Sequence, residues 1–321
     1  MKTRTKVWLI IAGSFVLLGG LLFSGIMTLV DWDFSMLSTN EAETNEYVFD
    51  EKFENIDVSI NTADIEFIES TADAVKVVCV EESDEKHTVK IENNTLSINY
   101  NITKDLYKYI GINFNSPKIL VYIPAGEYGA LTIDSDTGDV DIPSTFSFSS
   151  IDITATTADI KNYASSKGDV NIKTTTGSIT VDNVSLKSLD LTVTTGSINV
   201  SNASVDEDVS FKVSTGKSEL YNVTCKSIIT KGSTGDLTLT NVEASEKYNI
   251  TRSTGDVTFD SSDAKEIIVE TDTGDVKGTL LSDKIYIINT NTGDVDVPKT
   301  TTGGVCGITT STGDIEIKVN K

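Results

Sequence analysis

The sequence predicts an all-β chain, a single-stranded β-solenoid (β-helix) with coils of 19–20 residues, preceded by one N-terminal transmembrane helix. Three observations predict it. The N-terminus carries a long uncharged apolar run, a Thr-Gly-Asp string returns at near-constant spacing, and apolar and polar residues alternate on both sides of that string.

The helix comes first. From Val7 to Val30 there are 24 residues without a charge, preceded by Lys2, Arg4 and Lys6 and followed by Asp31 and Asp33. About 20 helical residues cross the hydrocarbon of a bilayer, and a basic flank stays on the cytoplasmic side. The run therefore predicts a single-pass protein of the cell membrane with a cytoplasmic N-terminus, an extracellular C-terminal domain and the membrane as a partner through residues 7–30. A cleavable signal peptide has an apolar region of about 7 to 15 residues and an A-x-A site. This run is longer and no such site follows, which favours an uncleaved anchor. The expected division is a cytoplasmic tip (1–6), the anchor (7–30), a polar linker (31–46), an N-terminal β region and cap (47–130) and the repeats (131–321).

Composition then removes several classes of function. The chain has 26 Lys and Arg against 48 Asp and Glu, a formal charge of −22, and its two arginines are Arg4 and Arg252. So acidic a surface repels phosphate backbones, and no nucleic-acid partner is expected. A single histidine, His87, leaves no material for a His-based zinc cage or a Ser-His-Asp triad. Cys79, Cys225 and Cys306 are too few and too scattered for a disulfide framework and read as small buried apolar residues.

The repeat carries most of the information. Its Gly stands at 138, 177, 196, 216, 235, 255, 274, 293 and 313, Ala158 fills the one missing place, and every step is 19 or 20 residues. Gly138, Gly177, Gly196, Gly216, Gly235, Gly255, Gly274, Gly293 and Gly313 are thus expected to be structural turns. Thr precedes the Gly in all ten copies and Asp follows it in seven. Two residues after the Gly, nine of ten positions are aliphatic, with Ser218 the exception; five before it, nine of ten are apolar, with Thr230 the exception. Each unit therefore reads as a longer strand, a Gly corner and a shorter strand. A meander of hairpins turning at Thr-Gly is the competing topology. Two-residue hairpins prefer Asn-Gly or Asp-Gly, and positive φ on a β-branched Thr is unfavourable, which favours the solenoid. Like residues would then stack in columns, among them an amide ladder at Asn183, Asn202, Asn222 and Asn241. Ten coils about 4.8 Å apart make a rod on the order of 48 Å long. Ile56 to Glu69 repeats the pattern, and the strand-like VKVVCV, TLSINY and KILVYIP read as a cap over the solenoid end. At the other end, Lys318 and Lys321 are expected to discourage edge pairing.

The anchor, FENIDVSINTADIEFIES, HTVKIENNTLSINY, the KILVYIP strand and the serial TTGSITV and STGDVTF units together resemble the bacterial β-strand-repeat family known by the label "putative adhesin". The resemblance covers nearly everything from about Tyr47 onward. It implies a membrane-anchored protein of the cell envelope, similar to members associated with envelope stress, and it supplies no catalytic residues.

Asp236, Asp256, Asp275, Asp294 and Asp314 occupy five consecutive copies, so neighbouring carboxylates about 5 Å apart repel and could share Ca²⁺ as a cofactor. The structural alternative is that each carboxylate accepts a backbone N–H just after the Gly corner, as in Asx turns. The Thr column before the Gly shares parity with the core positions, so its hydroxyls are expected to point inward. Arg252 falls on a nominally inward place above Gly232, and a local bulge turning it to solvent is expected. His87, in EESDEKHT, reads as part of a solvated turn, and Tyr107, Tyr109 and Phe114 as cap-packing residues or an exposed aromatic patch. A polysaccharide-cleaving enzyme of the β-helix class needs long loops with clustered carboxylates, for which steps of 19 and 20 leave no room. The expectation is a non-enzymatic structural or adhesive protein that meets a cell-surface glycan or an envelope protein, with an accessory role in envelope-stress signalling as the alternative.

Overall fold

A computed structural model of the chain describes residues 3–29, 31–32, 42–82, 85–102 and 117–320. Thr3–Leu29 forms one α-helix of 27 residues, and its span Thr5–Leu29 is apolar enough to cross a membrane, with a mean hydropathy of 2.3. From Ala42 onward the described residues are almost entirely strand, joined in a single 23-stranded sheet. Strand Ala42–Phe49 begins inside the expected linker 31–46, which is therefore shorter at its C-terminal end.

Successive copies of the repeat run parallel and in register, Ile160 beside Ile179, Ile179 beside Ile198 and Ile198 beside Ser218. Hairpins would have made them antiparallel, so the chain is a solenoid. The alternation of buried and exposed residues breaks three times per winding, which divides each winding into three sides. In one winding the inward residues are Ile179 and Val181, then Val184 and Leu186, then Leu189, Leu191 and Val193. The breaks fall at Asn183, at Lys187–Ser188 and at Thr194–Thr195. A strand buries every second residue, and a corner resets that count. The difference between 19 and 20 residues sits at the second break: Leu186 is followed inward by Leu189, whereas Val205 in the next winding is followed by Val209. Apolar columns run the length of the interior as one contiguous core. Burial of these aliphatic side chains, about 1.5–3 kcal/mol each, is the main source of stability.

The windings are not stacked in chain order at either end. Strand Asn55–Thr62 lies between Thr95–Ile102 and Gly126–Thr137, although it precedes both in sequence. The N-terminal β region and the repeats therefore share one continuous sheet. Beyond Thr95–Ile102 and Lys118–Pro124, strands Glu85–Glu92 and Val75–Glu82 run antiparallel and close that end, with Ala42–Phe49 outside Val75–Glu82. At the other end the last winding is inserted. Gly304–Thr312 pairs with both Val257–Thr273 and Lys284–Thr292, so the winding of Gly313 lies between those of Gly274 and Gly293. Ile315–Val319 is consequently flanked by Val276–Leu280 along its length and by Val295–Asp296 at Ile315 and Glu316. Lys318 therefore pairs on its inner side with Thr279 and stands where the outer pairing has ended, a place consistent with the expected edge protection, and Lys321 lies outside the described residues.

Candidate functional site

The Gly corner is the most regular part of the surface. Its nine glycines take φ between 127° and 155°, and a Cβ there would fall within 1.6–2.1 Å of a carbonyl oxygen in the adjacent winding. Only glycine combines that φ with so close an approach. Ala158 and Ala63 stand at corners outside the positive-φ region. The Thr residues before the corner, from Thr137 to Thr312, are exposed, which corrects the expectation of inward hydroxyls. Parity fails there because the chain turns: Ala155 is buried and both Thr156 and Thr157 face out. A double column of mostly hydroxyl-bearing residues therefore runs along this corner, continuing at Thr175–Thr176, Thr194–Thr195, Ser214–Thr215, Ser233–Thr234 and Ser253–Thr254.

Beside the hydroxyls lies the Asp column, whose Oδ1 atoms accept N–H bonds from the neighbouring winding. Asp256 N–H donates to Asp236 at 3.1 Å, Asp275 to Asp256 at 2.8 Å, Asp314 to Asp275 at 2.7 Å and Asp294 to Asp314 at 2.9 Å. The same bond joins Asp139 to Asp159 and Asp159 to Ser178. One oxygen of each accepting carboxylate is thus engaged in holding two windings together at the corner. Asp294, on the outermost winding, ends the column. The Asp275 carboxyl is held below its ordinary range by its bond to the Lys277 ammonium and by the Asp314 N–H.

At the next corner Asn183, Asn202, Asn222 and Asn241 take φ of 49–57°. Asn tolerates this left-handed region better than other non-glycine residues. Three of the four form the ladder read from the sequence: Asn241 Nδ2 donates to Asn222 Oδ1 at 2.6 Å and Asn222 to Asn202 at 3.1 Å, while Asn202 donates to Asp182 at 2.9 Å in place of Asn183.

Arg252 does not bulge outward. It is 2% exposed and stays in register with Gly232. Its guanidinium extends over that glycine, and Nη2 lies 3.3 Å from Ser218 Oγ, two windings away, and 3.4 Å from Thr230 Oγ1. Nε and Nη1 have no hydrogen-bond partner among the described residues. Burial lowers its pKa to about 10, while Asp236 opposes the shift. Ser218 and Thr230 are the exceptions in their aliphatic columns, and Gly232 opens the space beside them. The three departures converge on this one side chain, a signal that was present in the sequence once the columns were aligned.

A second buried polar group lies in the cap. Cys79, Glu81 and His87 offer a thiol, a carboxylate and an imidazole within 4.8 Å of one another. His87 is 4% exposed, which corrects its reading as a solvated turn. Its parity with Val89 and that of Glu81 with Val77 and Cys79 already marked both as inward. Glu81 Oε2 accepts the His87 backbone N–H and pairs with Nδ1, each at 2.7 Å, and Oε1 accepts Asn45 Nδ2 at 2.6 Å. With both oxygens engaged by nitrogen donors, the group knits the cap strands together, and a metal would have to displace those bonds. Burial, then Glu81, pushes the Cys79 thiol up to about 12. Cys225 and Cys306 are likewise buried and raised to about 12. Lys284, unremarkable in the sequence, is buried with its ammonium 2.6 Å from Asp263 Oδ1 and 2.7 Å from Ala264 O, tying the outermost winding inward. Tyr107, Tyr109 and Phe114 lie outside the described residues.

The Toastrack DUF4097 family model matches residues 53–209 and 204–321. No curated protein matches the chain in sequence. A crystal structure titled a putative lipid binding protein, from Parabacteroides distasonis, is 16% identical, with a TM-score of 0.49 over 75% of this chain and 98% of that one. A putative adhesin from the same organism is 11% identical, with a TM-score of 0.47 over 87% and 98% of the two chains. One from Bacteroides fragilis is 13% identical, with a TM-score of 0.43 over 87% and 97%. Two family matches that together span the solenoid from end to end place the chain in a family: it belongs to the Toastrack DUF4097 family.

Proposed function

We propose that the chain is a non-enzymatic rod, anchored in the cell membrane by residues 7–30 with its solenoid outside, that has a structural or adhesive role and engages a cell-surface glycan or envelope protein along its corner columns. The observation that carries this reading is the double column of hydroxyls along the Gly corner from Thr156–Thr157 to Ser253–Thr254, with carboxylates alongside at Asp159, Asp236 and Asp256. Such an array offers many weak hydrogen bonds at a spacing of about 4.8 Å, a surface suited to a repetitive polymer engaged at several points. The basic residues before the helix support the orientation.

Two measurements test it. Protease added to intact cells should digest the solenoid; complete protection there, with digestion only after lysis, overturns the orientation. Full-length protein in nanodiscs should co-sediment with purified cell-wall glycan or with a defined envelope fraction. Replacing Thr156, Thr175 and Thr194 by Val should weaken that binding without lowering the melting temperature. Binding that is absent, or indifferent to the substitutions, overturns the assignment to this corner.

A further inference from the structure

The two ends of the rod differ in kind. At the N-terminal end the outermost strands are joined to their inner neighbours by antiparallel pairing and carry charges along their length, Glu43 and Glu46 on one and Lys86, Lys90 and Glu92 on the other. Charged edge strands of this kind block further pairing. The opposite end has no such closure among the described residues. Insertion of the last winding leaves Lys284–Thr292 outermost, with Gly304–Thr312 as its neighbour on one side only. The outward residues of this edge are Ile285, Ile287, Asn289 and Asn291, and its one charge, Lys284, is buried against Asp263. Ile285 is 40% exposed, Ile287 63% and Val295 49%, while Tyr286, Ile288 and Val297 close the core and remain half exposed. An unpaired, uncharged, apolar strand edge is a template for another strand.

We propose that this open end is a homotypic interface, in which Lys284–Thr292 of one copy pairs antiparallel with the same strand of a second copy about a two-fold axis, so that two rods meet end to end. Self-pairing fits the charge. A pairing centred on Ile288 sets Ile287 opposite Asn289 and Lys284 opposite Thr292, with no like charges facing across the axis. The contact is isologous and closes after two copies, as a two-fold contact must. The charged antiparallel cap at the other end excludes head-to-tail growth. The proposal goes beyond the glycan- or protein-binding role and does not depend on it. Because each copy carries a charge of −22, repulsion between the rods opposes association, and added salt should strengthen the dimer.

The test uses the full chain in detergent, with Ile287→Cys as a crosslinking site and Lys167→Cys, on the side of the rod, as the collisional control. The native cysteines are buried and stay silent. A short bis-maleimide should give roughly tenfold more covalent dimer at 287 than at 167, and Ile285→Lys added to the Ile287→Cys chain should remove that excess without changing the melting temperature. Sedimentation of the wild-type chain should show a monomer–dimer equilibrium that shifts toward dimer as salt rises. Equal crosslinking at the two sites overturns the proposal, as does a chain that stays monomeric at all concentrations, which would leave the edge to an unlike strand. A dimer that persists undiminished with Ile285→Lys is held by the membrane helix and overturns it equally. Glycan binding is read in a separate assay, so either idea can fail alone.

Discussion

Replacing Gly232 by Ala should change sign in its effect on stability according to what stands at position 252. A Cβ built on Gly232 lies 2.0 Å from Arg252 Nη1, 2.7 Å from Cζ and 2.8 Å from Cδ. Gly232 is outside the positive-φ set, so its backbone accepts alanine without strain. In an open strand the change would stabilise by about 0.5–1 kcal/mol through the lower entropy of the unfolded chain. With Arg252 in place, overpacking of the guanidinium costs about 1–3 kcal/mol and reverses that gain. Arg252→Val restores the residue type found at the equivalent Val193 and Val213 and removes two buried nitrogens that lack partners. In that background Gly232→Ala fills space instead of contesting it and should stabilise. The expected coupling between the two sites is about 1–3 kcal/mol, the clash alone, because the entropy gain of the alanine is common to both backgrounds and cancels. Urea unfolding of the four chains in one detergent, followed by circular dichroism with the slope checked for constancy, measures it. Effects that add to within about 0.5 kcal/mol would show that the guanidinium does not occupy the space above Gly232.

Four further outcomes are expected. The Asp275 carboxyl has a folded pKa below its unfolded value, so its contribution to stability is fully present above the unfolded value near 3.8 and is lost as pH falls through the depressed folded one. Asp275→Asn should flatten the acid limb of a melting-temperature profile between about pH 6 and 2, and an unchanged limb refutes the pairing. All three cysteine thiols should resist a neutral-pH disulfide reagent in the folded chain, because burial raises them to about 12, and should react once urea unfolds it. Asn222→Ala should destabilise by about 1–2 kcal/mol, through the left-handed backbone and two lost ladder bonds, and Asn222→Gly by less; equal effects would remove the backbone component. Because the Asp236, Asp256, Asp275 and Asp314 carboxylates already accept N–H bonds, millimolar Ca²⁺ should leave the melting temperature unchanged, and a rise would give the column back to the metal.

Regular features were legible in the sequence because a solenoid writes its geometry into a period. Ile179, Ile198 and Leu237 lie at the same step and stack in register, and the Asn ladder follows from the same arithmetic. Features that depend on where the period breaks were harder to read. The outward turn of the Thr column follows from a corner that resets parity, which alternation on either side does not locate. The burial of His87 follows from its parity with Val89, which the charges around it mask. The inward place of Arg252 depends on Ser218, Thr230 and Gly232 together, one polar hollow spanning three windings that no single exception reveals.

The spacing of Thr-Gly-Asp and the alternation around it determined, without coordinates, that the chain winds into a column-bearing rod behind an apolar helix. They did so because each winding buries only its inward residues and must repeat its neighbour to stack on it. Which winding lies on which was decided by tertiary structure alone. The copies at Gly293 and Gly313 look alike to any local rule, so chain order gives no hint that the last winding slips inside the one before it. Backbone pairing is nearly blind to side-chain identity at these positions. It took the packed arrangement, with Lys284 drawn in to Asp263 and Gly304–Thr312 enclosed between two strands, to show that the free end of the rod is not the end of the chain.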